Sequence, residues 1–297
     1  MQFSRRLDSK ARLSTLAALT ATAVLAALFL LPIVWVLGGS FKNQLEIFKD
    51  VQPLSIWTFL PRHPTLANIQ DSLFAGGSRT EEGGGLGLAS AFLNSAIVSI
   101  CQVALTLALC SFAAYAFSRL RFRGRNVLFF VVLMALAVPL EVIVVPLFRV
   151  VSDIGLSNNL IGVFLPFIAQ PLGLYILRQA FDDVPRELDD AAMIDGASHF
   201  QILWRILIPN MIPSLTTVAI LTFLFSWNAF LWPLVIINDP QSQLVQVAVA
   251  QAAGAPGHLP NWGVIMASAS LTMAPVVLLF VFLQRYFVRG LTWTGFR

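Results

Sequence analysis

The sequence predicts an all-α integral membrane protein with six transmembrane helices and a cytoplasmic helix–turn–helix loop. The first observation is composition: hydrophobic residues make up 57% of the 297 positions and charged residues 11%, whereas about 25% of a soluble domain is charged. The second is that the uncharged stretches exceed the ~18 residues that a spanning helix needs. The third is an uneven distribution of positive charge between alternate loops. So few polar residues could not cover a globule, which excludes a soluble enzyme.

Six stretches between charged residues mark the expected spans, and only the third is interrupted, by Glu141. Their bounding charges are Arg12 and Lys42, Glu82 and Arg119, Arg125 and Arg149, Asp153 and Arg178, Arg205 and Asp239, and Asp239 and Arg285. They are too long for barrel strands, which need only ~9–11 residues. Glycines and prolines at 254–260 break the last stretch, so the sixth helix is expected to begin near Trp262. The first apolar run exceeds the ~7–15-residue core of a signal peptide, so an uncleaved anchor is expected.

Positive charge sets the expected orientation. The amino end, the tail and the loops after spans two and four carry fourteen Lys and Arg residues, and the other loops carry five. By the positive-inside rule both termini are cytoplasmic. The predicted organisation is a cytoplasmic segment 1–12, a transmembrane domain 13–288 with an outside loop 43–88 and a cytoplasmic loop 181–210, and a cytoplasmic tail 289–297. The net charge of +4 follows from this topology and does not indicate a nucleic-acid partner.

The loop 181–210 is patterned as two helices around a turn. Pro185 suits a first helical turn, and Gly196 is expected to bend the chain. Apolar residues have helical spacing in both halves, at Leu188, Ala191 and Ala192, and at Phe200, Leu203, Trp204 and Leu207. A loop that merely joins two spans does not need such a pattern. The sequence therefore predicts a helix–turn–helix with small side chains that permit close approach by another surface.

At this loop the sequence resembles permease subunits of bacterial ABC importers. Asp190-Ala191-Ala192 is followed by three residues, Gly196, nine residues, Ile206, one residue and Ile208-Pro209. The usual motif starts Glu-Ala-Ala and ends Leu-Pro, so Asp190 and Ile208 are conservative departures. Other segments resemble the carbohydrate-uptake branch, most of all its smaller maltose-permease-type subunit: 40–42, 113–124, 195–197, 227–228, Pro275 and 284–292.

The resemblance implies a type I importer-like fold and a permease subunit that couples ATPase closure to alternating access for a sugar or oligosaccharide. The implied partners are a homologous permease in a heterodimer, two cytoplasmic ATP-binding subunits, an extracytoplasmic solute-binding protein and lipid of the bacterial inner membrane. No cofactor, metal or catalytic residue is implied. The chain has no phosphate-binding loop motif, so ATP hydrolysis is expected on the partners. The implied ATPase-coupling residues are Asp190, Ala191, Ala192, Asp195, Gly196, Ala197, Phe200, Ile206 and Pro209.

Three residues are candidates for the substrate pathway. Glu141 is the one carboxylate inside the expected spans, and a carboxylate accepts hydrogen bonds from sugar hydroxyls. The alternative is an acid at the outer water interface or one bonded to a neighbouring helix. Trp227 could stack on a sugar ring and Asn228 could bond its hydroxyls. The alternative for both is helix packing.

Rival functions remain at this point. Import of glycerol phosphate or another polyol derivative fits the same architecture. A secondary transporter is compatible with six spans and one intramembrane acid, but it leaves the patterned loop unexplained. An intramembrane enzyme needs a catalytic constellation, and the sequence shows none. The three histidines lie in separate loops, which gives no clustered metal set.

Overall fold

The computed structural model describes residues 2–49, 53, 55–74, 87–253 and 261–292; side chains are described from residue 15 onward, except at 252–253 and 284–292. Within these residues every regular element is helical. The chain divides into two compact units. The amino-terminal unit comprises 1–87 and 252–271, and the central unit comprises 88–251 and 272–297.

The amino-terminal unit consists of one long helix and three short ones, joined by the start of the last helix. These are α1 (Gln2–Gly39), α2 (Gln44–Lys49), α3 (Ile56–Phe59) and α4 (Ala67–Phe74). The fully buried Lys42 holds α3 in place, because its ammonium donates to the carbonyl oxygens of Trp57 and Thr58. The predicted outside loop 43–88 is therefore partly helical. Its glycine tract, at 76–85, lies outside the described residues apart from its flanks.

The central unit is built around one helix. Its α-helices are α5 (Ala89–Arg119), α6 (Arg125–Met134), α7 (Leu140–Asp153), α8 (Leu160–Phe164), α9 (Pro171–Asp183), α10 (Glu187–Ile194), α11 (His199–Gln201), α12 (Ile208–Asn210), α13 (Ile212–Trp227), α14 (Leu231–Ile236), α15 (Val245–Ala253) and α16 (Trp262–Thr292), the last two of which continue into the other unit. Short 3₁₀ turns occupy Ala135–Ala137, Leu165–Phe167 and Pro240–Ser242, and a π-helix occupies Ile202–Leu207. α5 packs along both α9 and α13.

Small side chains let α5 approach its neighbours. Ala91, Ser95, Ser99, Ala114 and Ser118 are all buried along it, as expected where membrane helices pack without a hydrophobic driving force. Successive parts of α5 contribute to all three buried apolar clusters of this unit. The helix thus forms the spine of the central unit.

Three helical segments are each long and apolar enough to cross a membrane, at Thr15–Gly39, Ala89–Arg119 and Trp262–Leu283. Three bent pairs also qualify when each pair is taken together: Arg125–Ala137 with Leu140–Asp153, Leu160–Phe167 with Pro171–Asp183, and His199–Asn210 with Ile212–Trp227. In the described residues, length and composition therefore allow up to six spans. The expected start of the sixth helix at Trp262 is confirmed.

The expected third span is not the continuous helix that its apolar sequence suggests. Its two halves meet at an angle of 104°, with Val138 extended just before Pro139. The pyrrolidine ring disfavours a helical conformation at the preceding residue and removes a backbone donor. Hydropathy alone does not register this break, because proline is uncharged.

Candidate functional site

The helix–turn–helix element, residues 185–210, begins with a short acidic helix. α10 carries Glu187, Asp189 and Asp190 in its first turn, where the positive end of the helix dipole stabilises negative charge. It ends in a Schellman motif. The Ala197 amide donates to the Ala192 carbonyl at 2.9 Å, and the Gly196 amide donates to the Met193 carbonyl at 3.1 Å.

Gly196 supplies the left-handed backbone conformation that this turn requires. Its φ is +82°, a region that L residues with a Cβ reach at a cost. A Cβ added to Gly196 would have no described atom within 4 Å. The glycine therefore serves the bend of this chain, and any obstruction by a larger side chain would be felt by a partner surface.

The second half of the element starts with a capping box and then widens. The Ser198 hydroxyl accepts from the Gln201 amide at 3.4 Å, and the Gln201 side chain accepts from the Ser198 amide at 2.8 Å. The predicted α-helix is then a π-helix over Ile202–Leu207. Pro209 follows it and has no amide to donate to the carbonyl four residues earlier, where its ring would also clash. A wider turn accommodates this proline.

The apolar residues of the element are divided between its inner and outer surfaces. Of the small apolar set in α10, Ala192 is buried, but Leu188 is 46% exposed and Ala191 is also exposed. Asp189 takes the buried position instead. In the second half, Leu203 and Leu207 of the apolar set are buried. Phe200 and Trp204 are exposed and contact the ring of Phe112 with centroids 6.4 Å away.

Asp189 is buried because it forms an ion pair with Arg119. The Arg119 Nε lies 2.7 Å from Asp189 Oδ2, with side-chain exposures of 5% and 8%. Arg119 also donates to the Val184 carbonyl at 2.8 Å. Asp189 Oδ1 is buried without a hydrogen-bond partner among the described residues. Burial raises the pKa of the Asp189 carboxyl, and the positive charge of Arg119 opposes that rise.

Further hydrogen bonds fasten the element to the last turns of α5. The Tyr115 hydroxyl lies 2.7 Å from His199 Nδ1 at the start of the second half. The Ser118 hydroxyl donates to Asp182 Oδ1 at 2.6 Å, at the end of α9. Arg186 donates to the Ser118 carbonyl at 2.9 Å. One end of α5 is thus bonded to both halves of the element and to the helix that leads into it.

The sequence pattern indicated Asp190 as a functional residue and gave no role to Asp189. Asp190 is exposed, and the residues that share its outer surface are Ala191, Asp195, Gly196, Phe200 and Pro209, while Ala197 and Ile206 are half-buried. Asp189 and Ala192 have the three-residue spacing of one helix face, which was a readable signal. Its meaning depended on Arg119, seventy positions earlier, and no local pattern joins the two.

The substrate-pathway candidates lie in different environments. Glu141 is exposed in the first turn of α7, directly after the break at Pro139. Trp227 is buried, its Nε1 donates to the Thr272 carbonyl at 3.1 Å, and its ring stacks on Phe223 with centroids 5.6 Å apart. This environment is the one expected of the packing alternative for Trp227.

Asn228 is exposed next to Trp227 and differs from it. Its Nδ2 donates to the Leu224 carbonyl at 2.8 Å, and its Oδ1 accepts from Gln246 at 3.4 Å. The sequence placed Trp227 and Asn228 inside a continuous span, whereas α13 ends at Trp227 and α14 begins at Leu231. Pro233 explains the break, because it cannot donate to the carbonyl of residue 229.

Comparison with known proteins decides the family. Residues 88–293 match the model of the binding-protein-dependent transport system inner membrane component. The chain belongs to this family. It is a permease of the ABC importer class, a multi-pass inner-membrane transport subunit and not an enzyme. The match begins at the start of α5 and includes the whole helix–turn–helix element.

Curated relatives extend the likeness beyond the family match. The arabinooligosaccharides transport system permease protein AraQ of Halalkalibacterium halodurans is 39% identical over 204 residues, 69% of this chain and 72% of that protein. AraQ of Bacillus subtilis is 32% identical over 274 residues, 92% of each chain. The sn-glycerol-3-phosphate transport system permease protein UgpE of Pectobacterium atrosepticum is 29% identical over 268 residues, 90% of this chain and 92% of that protein.

Solved structures confirm the predicted fold class. A chain of a bacterial ABC transporter that imports the acidic polysaccharide alginate matches with a TM-score of 0.80 at 22% identity, over 93% of this chain and 97% of its own length. A second match, with a TM-score of 0.55 at 13% identity over 90% and 94%, comes from the alginate transporter in complex with an alginate pentasaccharide-bound periplasmic protein. At these identities the likeness establishes the helical permease fold.

Proposed function

We propose that this chain is one of two homologous permease subunits in an ATP-driven importer of a sugar or oligosaccharide. Its helix–turn–helix element is the docking site for one of two cytoplasmic ATP-binding subunits. The observation that carries this proposal is that one element has both an exposed surface for a partner and a buried attachment to α5. The element has an outer surface on which small and acidic side chains lie among exposed apolar ones such as Ile194 and Phe200. Its inner surface is fastened to α5 through the buried pair of Arg119 and Asp189.

The outer surface suits docking by a basic partner. Asp190 and Asp195 are exposed and would each offer a carboxylate to Lys or Arg. Ala191 and Gly196 lie beside them and add no long side chain of their own. Asp190 is one methylene shorter than the Glu of the usual motif, so its partner cation must come closer.

The inner surface suits transmission of movement. Arg119, Ser118 and Tyr115 lie on the last two turns of α5 and bond to the element or to the segment before it. α5 in turn packs along α9 and α13. Displacement of the element by closure of the ATPase dimer would therefore pull on the spine of the central unit, as coupling between two discrete states requires.

The charge distribution supports an orientation with both termini and this element in the cytoplasm. The family's description as a binding-protein-dependent system supports a solute-binding protein on the opposite side. We infer that Glu141 and Asn228, both exposed and both next to helix breaks, are the groups of this chain available to cargo hydroxyls. Trp227 is the packing residue behind Asn228.

The relatives support carbohydrate as the cargo class. Two are named for arabinooligosaccharides, and one is named for sn-glycerol-3-phosphate, which keeps the polyol phosphate alternative. An anionic cargo needs cationic side chains in its pathway. The expected spans of this chain carry no Lys or Arg away from their ends. A neutral oligosaccharide therefore fits this subunit better.

The deciding experiment is reconstitution. The chain is co-expressed with the permease, ATPase and binding-protein products of its neighbouring genes and placed in proteoliposomes. Uptake of labelled arabinooligosaccharide and of glycerol 3-phosphate is then measured. Uptake that requires both internal ATP and the binding protein is expected. Uptake driven by a proton gradient without ATPase subunits would replace the proposal with a secondary transporter.

A further inference from the structure

A surface cavity of about 610 Å³ lies at the junction of α5 and α6. Four arginines line it, Arg121, Arg123, Arg125 and Arg186, together with Phe122, Gly124, Asn126 and Val127. The positive-inside rule explains why a loop here is basic. It does not explain why Arg186, just before α10, joins two arginines of the loop after α5 and the first residue of α6 in one concave site.

Two of these arginines are held together by one acceptor. Arg125 donates to the Ser118 carbonyl at 3.4 Å, and Arg186 donates to the same oxygen at 2.9 Å. Two guanidinium groups on one carbonyl repel each other. The ion pairs at this end of α5 and α9 are formed by two other arginines, Arg119 and Arg178. Asp189 interacts electrostatically with Arg186, but it forms its ion pair with Arg119. The pocket thus concentrates positive charge that an anion would stabilise.

The backbone adds to this preference. Gly124 has a φ of +78° and precedes α6, whose first three residues, Arg125 to Val127, line the cavity. The first amides of a helix have no intrahelical acceptor and carry the positive end of its dipole. Phosphate oxygens accept well from both arginine forks and helix-terminal amides. The chemistry therefore points to a phosphate group.

The surface beyond the pocket distinguishes a lipid phosphate from a free one. α6 buries none of its side chains. Val127 is 70% exposed and Phe130 is 64% exposed, and Leu128, Val131 and Met134 are also exposed. A basic pocket that continues into an apolar helix face has the two-part chemistry of a phospholipid. Basic pockets of this kind on the cytoplasmic side of membrane proteins recognise anionic headgroups.

We propose that the arginine pocket, defined by Arg121, Arg123, Arg125 and Arg186, binds the phosphate headgroup of an anionic phospholipid whose acyl chains lie along α6. The site is separate from the outer, docking surface of the helix–turn–helix element. It touches that element through Arg186, which precedes α10 and donates to Ser118. Bound lipid would thereby brace the junction between α5 and the element. The proposed orientation determines only which leaflet supplies the lipid.

The test uses the assembled importer, purified with its partner subunits in detergent. Dioleoylphosphatidylglycerol and dioleoylphosphatidylcholine are titrated separately, and native mass spectrometry counts the lipids retained by this subunit. The variant is Arg121→Gln/Arg123→Gln, because both side chains are exposed. Loss of two interfacial charges should weaken phosphatidylglycerol retention by about tenfold or more. Phosphatidylcholine retention should not change. Phosphatidylglycerol retention by Arg121→Lys/Arg123→Lys should lie between that of the glutamine variant and that of the wild type. Lysine keeps the positive charge but cannot form the bidentate hydrogen bonds of a guanidinium group.

The matched control is Lys49→Gln/Arg149→Gln, which removes two exposed charges elsewhere and should retain phosphatidylglycerol as the wild type does. Equal retention by the glutamine variant and this control would overturn the proposal. Inorganic phosphate or glycerol 1-phosphate that displaces phosphatidylglycerol at equal concentration would assign the pocket to a soluble anion and overturn the lipid. Loss of ATPase co-purification with unchanged lipid retention would make the pocket a protein interface and also overturn it.

Discussion

Nε of Arg119, the last residue of α5, lies 2.7 Å from Oδ2 of Asp189 in the first turn of α10. Both side chains are more than nine-tenths buried. A buried pair of this kind is weak evidence for net stabilisation, because desolvation offsets much of the attraction. Its value lies in geometry: it fixes the position of the helix–turn–helix element against the spine of the central unit.

Removing one partner of this pair should damage the protein more than removing an exposed acid. Asp189→Ala leaves a buried guanidinium uncompensated, which costs about 3–5 kcal/mol, and should lower both the unfolding temperature and uptake. Asp190→Ala, at an exposed position, should keep the free energy of unfolding within about 0.5 kcal/mol of wild type. Thermal unfolding of the purified importer compares the two. Equal effects would show that the pair has no special role.

A double variant separates charge from position. Arg119→Met/Asp189→Leu replaces the pair with apolar side chains of similar size. It should recover much of the stability lost in Asp189→Ala, since an apolar replacement of a buried pair is often neutral. Sugar-stimulated ATP hydrolysis should remain lower than in the wild type if the pair sets the position of the element. Full recovery of both stability and hydrolysis would indicate that burial alone matters.

The pH dependence of stability should carry a signature of Asp189. Burial raises the pKa of its carboxyl above the ordinary value, so between the two pKa values the folded state binds more protons than the unfolded state. Linkage then makes this contribution to stability fall as pH rises through that window. Compared with Asp189→Asn, the wild type should therefore gain stability as pH is lowered towards the ordinary carboxyl pKa. Unfolding temperatures of both proteins across this range test the sign, and a difference that grows in the opposite direction would contradict it.

Sequence patterns predicted the helical membrane class and the turn at Gly196, because both depend on local composition and spacing. They did not predict the break before Leu140 or the one after Trp227. Those breaks come from single prolines in stretches of unchanged hydropathy. The choice of Asp189 over Asp190 as the buried acid also lay beyond local patterns, since it depends on contact with Arg119.

Adjacent residues at the end of α13 should show different defects. Trp227→Phe keeps an aromatic side chain but replaces the indole with a smaller ring and loses the hydrogen bond to the Thr272 carbonyl. The lost bond should cost about 0.5–1.5 kcal/mol of stability, the cavity should add to that cost, and cargo selectivity should not change. Asn228→Ala removes an exposed amide and should raise the cargo concentration needed for half-maximal uptake several-fold with little loss of stability. Uptake kinetics and thermal unfolding of both variants distinguish packing from cargo contact. A selectivity change in Trp227→Phe would reverse this assignment.

Gly196 provides the sharpest test of the docking proposal, because the chain offers a matched glycine elsewhere. Gly196 and Gly155 have φ values of +82° and +75°, and an added Cβ at either meets no described atom within 4 Å. Leucine at either position should therefore destabilise the fold by a similar amount, about 1–2 kcal/mol, because it must adopt the left-handed backbone conformation. Gly196→Leu should in addition weaken co-purification of the ATPase subunit or uncouple ATP hydrolysis from uptake, while membrane abundance stays near wild type. Gly155→Leu should leave the ATPase bound.

Gly196→Asn separates the effect of side-chain bulk from that of backbone strain, because asparagine tolerates the left-handed conformation. This variant should still weaken docking of the ATPase. If Gly196→Leu and Gly155→Leu retain the ATPase and coupled hydrolysis equally, the element is a connecting loop and does not dock the ATPase.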